Sequence, residues 1–262
     1  MLRSLYTAAT GMEAQETKMD IIAHNLANTS TTGFKKTRAE FEDLLSETIR
    51  TAAPASPQGS NTAPSALQVG LGVRTAATTR SLSQGDMLNT GNPLDVAVQG
   101  SGFFEIQRAN GEPGFTRAGN FRVDATGRLV TQQGEPLEPA ITVPQETTAL
   151  TIGADGQVTA KLPGRDEPSS LGILELVTFP NASALESVGG NVFVQTAASG
   201  EALKVKPGES GTGTLAQGFL EGANVKAVEE MIAMISTQRA YEMNSKVIMT
   251  ADQMLQKLTS LR

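Results

Sequence analysis

One histidine and no cysteine limit the chemistry open to this sequence. His24 would have to be the base of any Ser–His–Asp arrangement, and neither a multi-histidine nor a thiolate metal centre can be built. It lies in Ile-Ile-Ala-His-Asn-Leu-Ala-Asn, which reads as the surface or interface of a helix rather than a ligand site. Asp95, Asp124, Asp155, Asp166 and Glu167 are the carboxylates that paired acid–base chemistry on a glycoside would recruit. Asp124 and Asp155 stand in Asp-x-x-Gly and Asp-Gly contexts, where turn geometry wants Asp, and nothing pairs any of the five. Gly70-Leu71-Gly72 and Gly211-Thr212-Gly213 match neither a dinucleotide fingerprint nor a phosphate loop. The sequence therefore reads as that of a non-enzyme, with no metal and no cofactor.

Three further groupings could carry interactions. Met12, Met19, Met231, Met234, Met243, Met249 and Met254 concentrate near the two ends, as adaptable helix packing against several neighbours would require. Lys35-Lys36-Thr37-Arg38 is a short basic run that could touch an anionic polymer, and it reads first as a solvated charge cluster. The net charge is −6 over 262 residues, which argues against a nucleic-acid partner. No apolar run reaches the roughly 18 residues of a spanning helix. Residues 1–11 show no apolar core and no cleavage site, so no ordinary signal peptide is expected.

The elements that must position these residues are helical at the ends and extended in between. Leu5, Ala8, Met12, Gln15, Met19, Ile22 and Leu26 step by three and four, the a and d spacing of a helical seam. Gly11 interrupts it, at about 1 kcal/mol against Ala. This helix should stop within Asn28 to Gly33. Towards the other end Ala240, Asn244, Val247, Ala251, Met254, Leu258 and Leu261 form a second seam. Asn224 is the expected N-cap, with Glu229 and Glu230 close behind on the favourable end of the helix dipole. Polar Gln15 and Asn244 would fix register.

Residues 51–66 are rich in Pro, Ala and Ser and read as an extended or loop segment. From Leu94 onward short β runs alternate with turn signals, at Asn110-Gly111, Asp124 to Gly127 and Asp155-Gly156. Leu171 to Phe179 and Val192 to Thr196 are further expected strands. The end helices bury too little along one seam to offset the entropy of ordering them, so they call for other chains.

Several runs together carry a resemblance. Asn25-Leu26-Ala27-Asn28-Thr29-Ser30-Thr31-Thr32-Gly33-Phe34-Lys35 resembles the N-terminal signature of bacterial flagellar rod and hook proteins. The likeness continues through Arg38 to Leu45, Val98 to Phe104 and Phe115 to Phe121, and closes at Glu229 to Ile232 and Thr237 to Glu242. Length and the stretch Ser46 to Gln68 resemble the distal rod rather than the hook, with proximal rod or hook as the alternative within the family.

The resemblance implies an α+β chain in three parts. Residues 1–33 with 224–262 would pair as an inner coiled-coil domain. Residues 34–95 with 208–223 would form an extended β-rich connection, with 46–68 as a long insertion that could brace neighbours. Residues 96–207 would form an outer β domain. The implied assembly interface is Leu5, Met12, Met19, Ile22, Leu26, Ala240, Asn244, Val247, Ala251, Met254, Leu258 and Leu261, and the motif residues are Asn25, Leu26, Ala27, Asn28, Thr32, Gly33, Phe34 and Lys35. Implied too are a rigid hollow helical homopolymer that transmits torque and lets exported subunits pass, and export without a cleaved signal into the periplasm-spanning rod. The implied partners are the chain itself, proximal rod and hook proteins at the two ends, surrounding ring proteins, peptidoglycan and the export apparatus.

Overall fold

The structure, a computed structural model, describes residues 2–50, 66–164, 167–209 and 211–260. The extended reading of 51–66 falls almost wholly outside them, as does Asp166. Along the chain, one helix precedes and one follows a series of short strands. α1 is Leu2–Ala27 and α2 is Ala227–Ser260. At 1.5 Å rise per residue the 34 residues of α2 span about 51 Å. α1 ends where its sequence changes to Asn-Thr-Ser-Thr-Thr, and Gly33 follows with φ +71°, a left-handed conformation that favours glycine.

The chain divides into two units. The first comprises Met1–Leu26, Thr37–Thr79 and Ala227–Arg262. Here strand Thr37–Asp43 pairs with Val73–Arg80, and Glu47–Arg50 pairs antiparallel with Leu67–Val69. Every residue of that second pair is exposed. α1 and α2 touch where Asn244 covers Gly11: a Cβ on Gly11 would lie 2.9 Å from the Asn244 amide nitrogen. That close approach is the packing reason for a glycine inside α1. They touch again at Asn25, whose amide donates to the Glu230 carboxylate at 3.4 Å.

The second unit comprises Ala27–Lys36 and Arg80–Lys226. Its largest sheet is antiparallel and runs in the order Leu137–Glu138, Phe104–Gln107, Pro113–Thr116, Val192–Val194, Glu186–Gly189. A three-stranded sheet joins Ala149–Ile152, Gln157–Lys161 and Ser169–Ile173. The expected hairpin signals sit at the turns: Asn110-Gly111 between 104–107 and 113–116, Asp124 to Gly127 between 122–123 and 129–130, and Asp155-Gly156 between 149–152 and 157–161. The expected single strand Leu171 to Phe179 is broken, into Ser169–Ile173 and Leu176–Thr178.

The apolar run Val96, Ala97, Val98 is fully buried in a strand that pairs with Thr214–Gln217. It joins Phe104, Ile106, Leu129, Val158 and Leu176 in the main core. A second cluster gathers Phe103, Phe115, Val177, Leu185 and Phe193. Its rings meet edge to face, Phe115 with Phe179 at 4.8 Å and Phe103 with Phe193 at 5.9 Å, the arrangement that ring quadrupoles favour. Most of the chain's few aromatics are therefore spent inside this unit.

Candidate functional site

The two helices present different faces. On α1, Ala8, Ala14, Ile22 and Asn25 are buried, and Leu5, Met12, Met19 and Leu26 are half-buried. On α2 the covered line runs through Glu230, Thr237, Asn244 and Ala251, at steps of seven, with Ala240 half-buried beside it. Val247 and Met254, placed on the same seam by the sequence, are exposed in the single chain, at 46% and 47%. The side chain of Leu258, and Leu261 altogether, lie outside the described residues.

The exposed side of α2 is also apolar. Val228, Ile232 and Ile235 form one stripe at i, i+4 and i+7, and Met243 and Val247 continue at i and i+4. Val228 is 69% exposed and Ile232 63%. Helical periodicity alone could not choose between two apolar faces. The buried one carries Thr237, whose hydroxyl donates to Ala233 O at 2.8 Å, and Glu230, both of which a hydrophobic pattern ranks last.

The motif residues follow α1. Asn25 bridges backbone: its amide donates to Thr37 O at 2.8 Å and its Oδ1 accepts from Thr37 N at 3.0 Å. The helix exit is thereby tied to the first strand within one unit. Asn25→Ala removes both bonds and leaves buried backbone groups unpaired, at about 2 kcal/mol. We expect a matching fall in the urea midpoint. Asn25→Asp should fall further, since a carboxylate there would face the Thr37 carbonyl and Glu230.

Leu26 is half-buried, Ala27 is exposed, and Asn28 and Thr32 are half-buried. Asn28 Oδ1 accepts from the Thr31 hydroxyl at 3.1 Å, and Thr32 O accepts from the Asn191 amide at 2.8 Å. Gly33 and Phe34 are buried.

Lys35 corrects the reading of a solvated basic run. It is 1% exposed, and its ammonium donates to Glu221 Oε1 and to Ser83 O, both at 2.7 Å. Glu221 is fully buried and also accepts from Gly85 N at 3.0 Å and from Arg117 Nη1 at 3.0 Å. Arg117 Nη2 donates to Gly100 O at 2.7 Å, while its guanidinium stands 5.4 Å from the Phe103 ring centre. Its Nε finds no partner among the described residues. Two buried cations thus share one carboxylate. Burial pushes the Lys35 ammonium below its usual range, and the Glu221 bond and charge pull it back against the repulsion of Arg117. Burial likewise lowers Arg117.

Asn224 is a second correction. α2 begins at Ala227, and the Asn224 side chain does not cap it. Its Oδ1 accepts from Lys36 N at 2.7 Å, and its amide donates to Ser81 O at 2.9 Å and Ser83 O at 3.1 Å. It joins the residues after the motif to residues 81–83. The acidic residues Glu229 and Glu230 do occupy the first turn, as expected.

The acidic candidates do not converge. Asp95 accepts from the Thr90 hydroxyl at 2.6 Å and the Asn92 amide at 3.1 Å. Asp124 accepts from Thr126 N at 2.6 Å and pairs with Arg128 at 3.1 Å. The Thr126 hydroxyl leads the bonds that hold its carboxyl down at about 2. Asp155 accepts from Gln157 N at 3.2 Å. Each organises a turn. Among the described residues no group of His, Asp and Glu is disposed to hold a metal ion, and His24 lies exposed on α1.

Comparison with known proteins accounts for this distribution. Residues 5–35 match the family model of flagella basal body rod proteins. Residues 97–160 match that of the flagellar hook protein FlgE/F/G D1 domain, and 216–261 that of the flagellar basal body rod FlgEFG protein C-terminal region. The flagellar basal-body rod protein FlgG of Buchnera aphidicola from Acyrthosiphon pisum is 48% identical over 261 residues, covering 100% of both chains. That of Caulobacter vibrioides is 47% identical over the same extent. That of Bacillus subtilis is 39% identical, again over 100% of both chains. The two helices with the exposed apolar face, and the β-rich body between them, are those of a structural subunit: the chain belongs to the flagellar basal-body rod protein family, with the FlgG proteins.

Proposed function

We propose that this chain is the subunit of the distal rod, polymerising helically into a rigid hollow shaft that carries torque to the hook and lets exported subunits through. One observation carries the reading. A long helix holds Val228, Ile232, Ile235, Met243 and Val247 in water at no gain, unless another chain covers them. Two contacts support antiparallel pairing of the helices. From Asn25 back to Gly11 along α1 corresponds to Glu230 forward to Asn244 along α2. Knobs-into-holes packing of such pairs from successive subunits would line the tube, with Met side chains adapting to unequal neighbours.

In this reading residues 1–33 with 224–262 form the inner domain, 34–95 with 208–223 the connection, and 96–207 the outer domain. The exposed strand pair Glu47–Arg50 and Leu67–Val69 is too small to be stable on its own and is suited to bracing a neighbour. Proximal rod and hook proteins would cap the two ends, with ring proteins, peptidoglycan and the export apparatus as further contacts of a periplasmic shaft.

Sedimentation velocity and electron microscopy on the full chain test this. The unaltered protein should form straight hollow rods in a concentration-dependent way. Ile232→Glu with Ile235→Glu should abolish the rods while leaving the melting of the β-rich unit unchanged. Rods of normal length from the double variant would remove the α2 face from the interface.

A further inference from the structure

We propose that the β-rich unit carries a binding cleft for a neutral acetamido sugar, walled by the motif loop and two hairpin tips. Its first lobe, of about 400 Å³, is lined by ten residues, none of them charged. On one side stand Asn28, Thr31 and Thr32 of the loop after α1. On the other stand Gln132, Gln133 and Asn191, at the tips of two turns.

Two hydrogen bonds fix the walls. Asn191, held at φ +59°, donates its amide to Thr32 O at 2.8 Å, and the Thr31 hydroxyl donates to Asn28 Oδ1 at 3.1 Å. Asn191 is the one non-glycine residue with positive φ among those described, so the loop and the hairpin are locked together by a strained residue. The side-chain amides of half-buried Asn120 and of exposed Gln132 and Gln133 make no hydrogen bond among the described residues, so only water occupies their donors and acceptors, and all three line this lobe. A second lobe of about 350 Å³ shares Thr32, Asn120 and Gln132 as its wall and adds the apolar Leu94, Val123 and Leu220 together with one acid, Asp95, and one base, Arg122.

The chemistry selects the ligand. The first lobe offers an anion no cation and a metal no carboxylate; in the second, Arg122 and Asp95 offset each other in charge, and the Asp95 carboxylate is already bonded to Thr90 and Asn92. An apolar ligand would strand the amides at about 1–3 kcal/mol each. Planar amides with unspent donors and acceptors suit vicinal hydroxyls and an acetamido group, and the apolar patch of the second lobe suits the acetamido methyl. An extended peptide fits less well. Turn tips offer side chains rather than a ladder edge, and the two strands that reach the cleft, Arg122–Val123 and Phe219–Glu221, are two and three residues long and already paired. The cleft lies within one unit of one chain, and the inference does not rest on the rod reading.

The test is nuclear magnetic resonance titration of the full chain with chitotriose, a neutral trimer of N-acetylglucosamine, against cellotriose, which lacks the acetamido groups. Saturable shifts confined to residues 28–32, 92–95, 118–123, 132–133, 190–191 and 220 are expected, stronger for chitotriose. Asn120→Ala with Gln132→Ala should weaken binding about tenfold with melting unchanged. Shifts absent up to about 10 mM, or equal affinity in the double variant, would overturn the proposal. So would rods that fail to form in the double variant while the saccharide never binds, an outcome that would give the cleft to a second copy of the chain.

Discussion

Glu221→Gln should cost the β-rich unit about 3–5 kcal/mol, the range measured when one partner of a buried ion pair is removed. The substitution preserves shape and deletes charge. Lys35 and Arg117, 1% and 5% exposed, would then face each other across a neutral amide. The carboxylate is the acceptor for Lys35 Nζ, Gly85 N and Arg117 Nη1, so an amide in its place turns a donor toward at least one of them. The Glu221 main chain is also engaged, accepting from Gly33 N at 2.8 Å, so the motif loop should loosen with the cluster. Urea unfolding of the full chain measures the loss.

The pH dependence separates this charge effect from a packing defect. Burial already lowers the folded-state pKa of Lys35, so the unfolded chain binds more protons between that pKa and the usual 10.5. Stability therefore rises with pH across that window and is flat below it. Without Glu221 the folded pKa falls further, the window opens at lower pH, and the rise is larger. The deficit of Glu221→Gln should shrink as pH climbs toward 10.5, and adding Lys35→Met should remove much of the deficit at neutral pH. A deficit constant from neutral to alkaline pH would mean that lost shape, not exposed charge, is the cause.

What the sequence made legible was local. Asn110-Gly111, Asp124 to Gly127 and Asp155-Gly156 specify turns because the backbone conformation they favour is decided within four residues, and each lies between paired strands. α1 ends at Ala27 because the residues after it compete for backbone hydrogen bonds. The ion cluster was illegible because its members are far apart. Lys35 and Glu221 stand 186 positions from each other, and a run of Lys-Lys-Thr-Arg looks solvated until its partner is placed. The one local hint was parity, since Glu221 shares a strand face with Phe219. The seam of α2 was legible only in part, for a different reason. The spacing named Asn244 and Ala251, which the chain covers, together with Val247 and Met254, which it leaves open, and it passed over the buried Thr237. A helix that serves two interfaces has no single hydrophobic face to read. Asn224 had the residue type of a cap and the position of one, and three backbone groups of the β-rich unit claimed its side chain instead.

Gly119→Ala should be at least as costly, through space rather than charge. Gly119 accepts from Val96 N at 2.9 Å, and an added Cβ would overlap the Val96 carbonyl oxygen and lie 2.7 Å from its carbon. Both are main-chain atoms of Val96, a fully buried residue whose strand is bonded along its other edge to Thr214–Gln217. No rotamer can relieve the clash. Either the 117–121 segment retreats, stretching the Arg117 bond to Glu221, or the Val96 strand shifts and opens the main core. Overpacking against side chains commonly costs 1–3 kcal/mol, and a rigid backbone neighbour places this case at about 3 kcal/mol or more. Gly33 meets the same constraint from the other side: its Cβ would sit 2.8 Å from Ala118 N, and φ +71° adds conformational strain. Gly70 serves as control, since nothing lies within 4 Å of its added Cβ and its φ is not in the left-handed region. Gly70→Ala should leave the urea midpoint where it is, while Gly119→Ala and Gly33→Ala lower it sharply. Equal midpoints for all three would mean that the backbone around the motif loop yields where its hydrogen bonds say it should not.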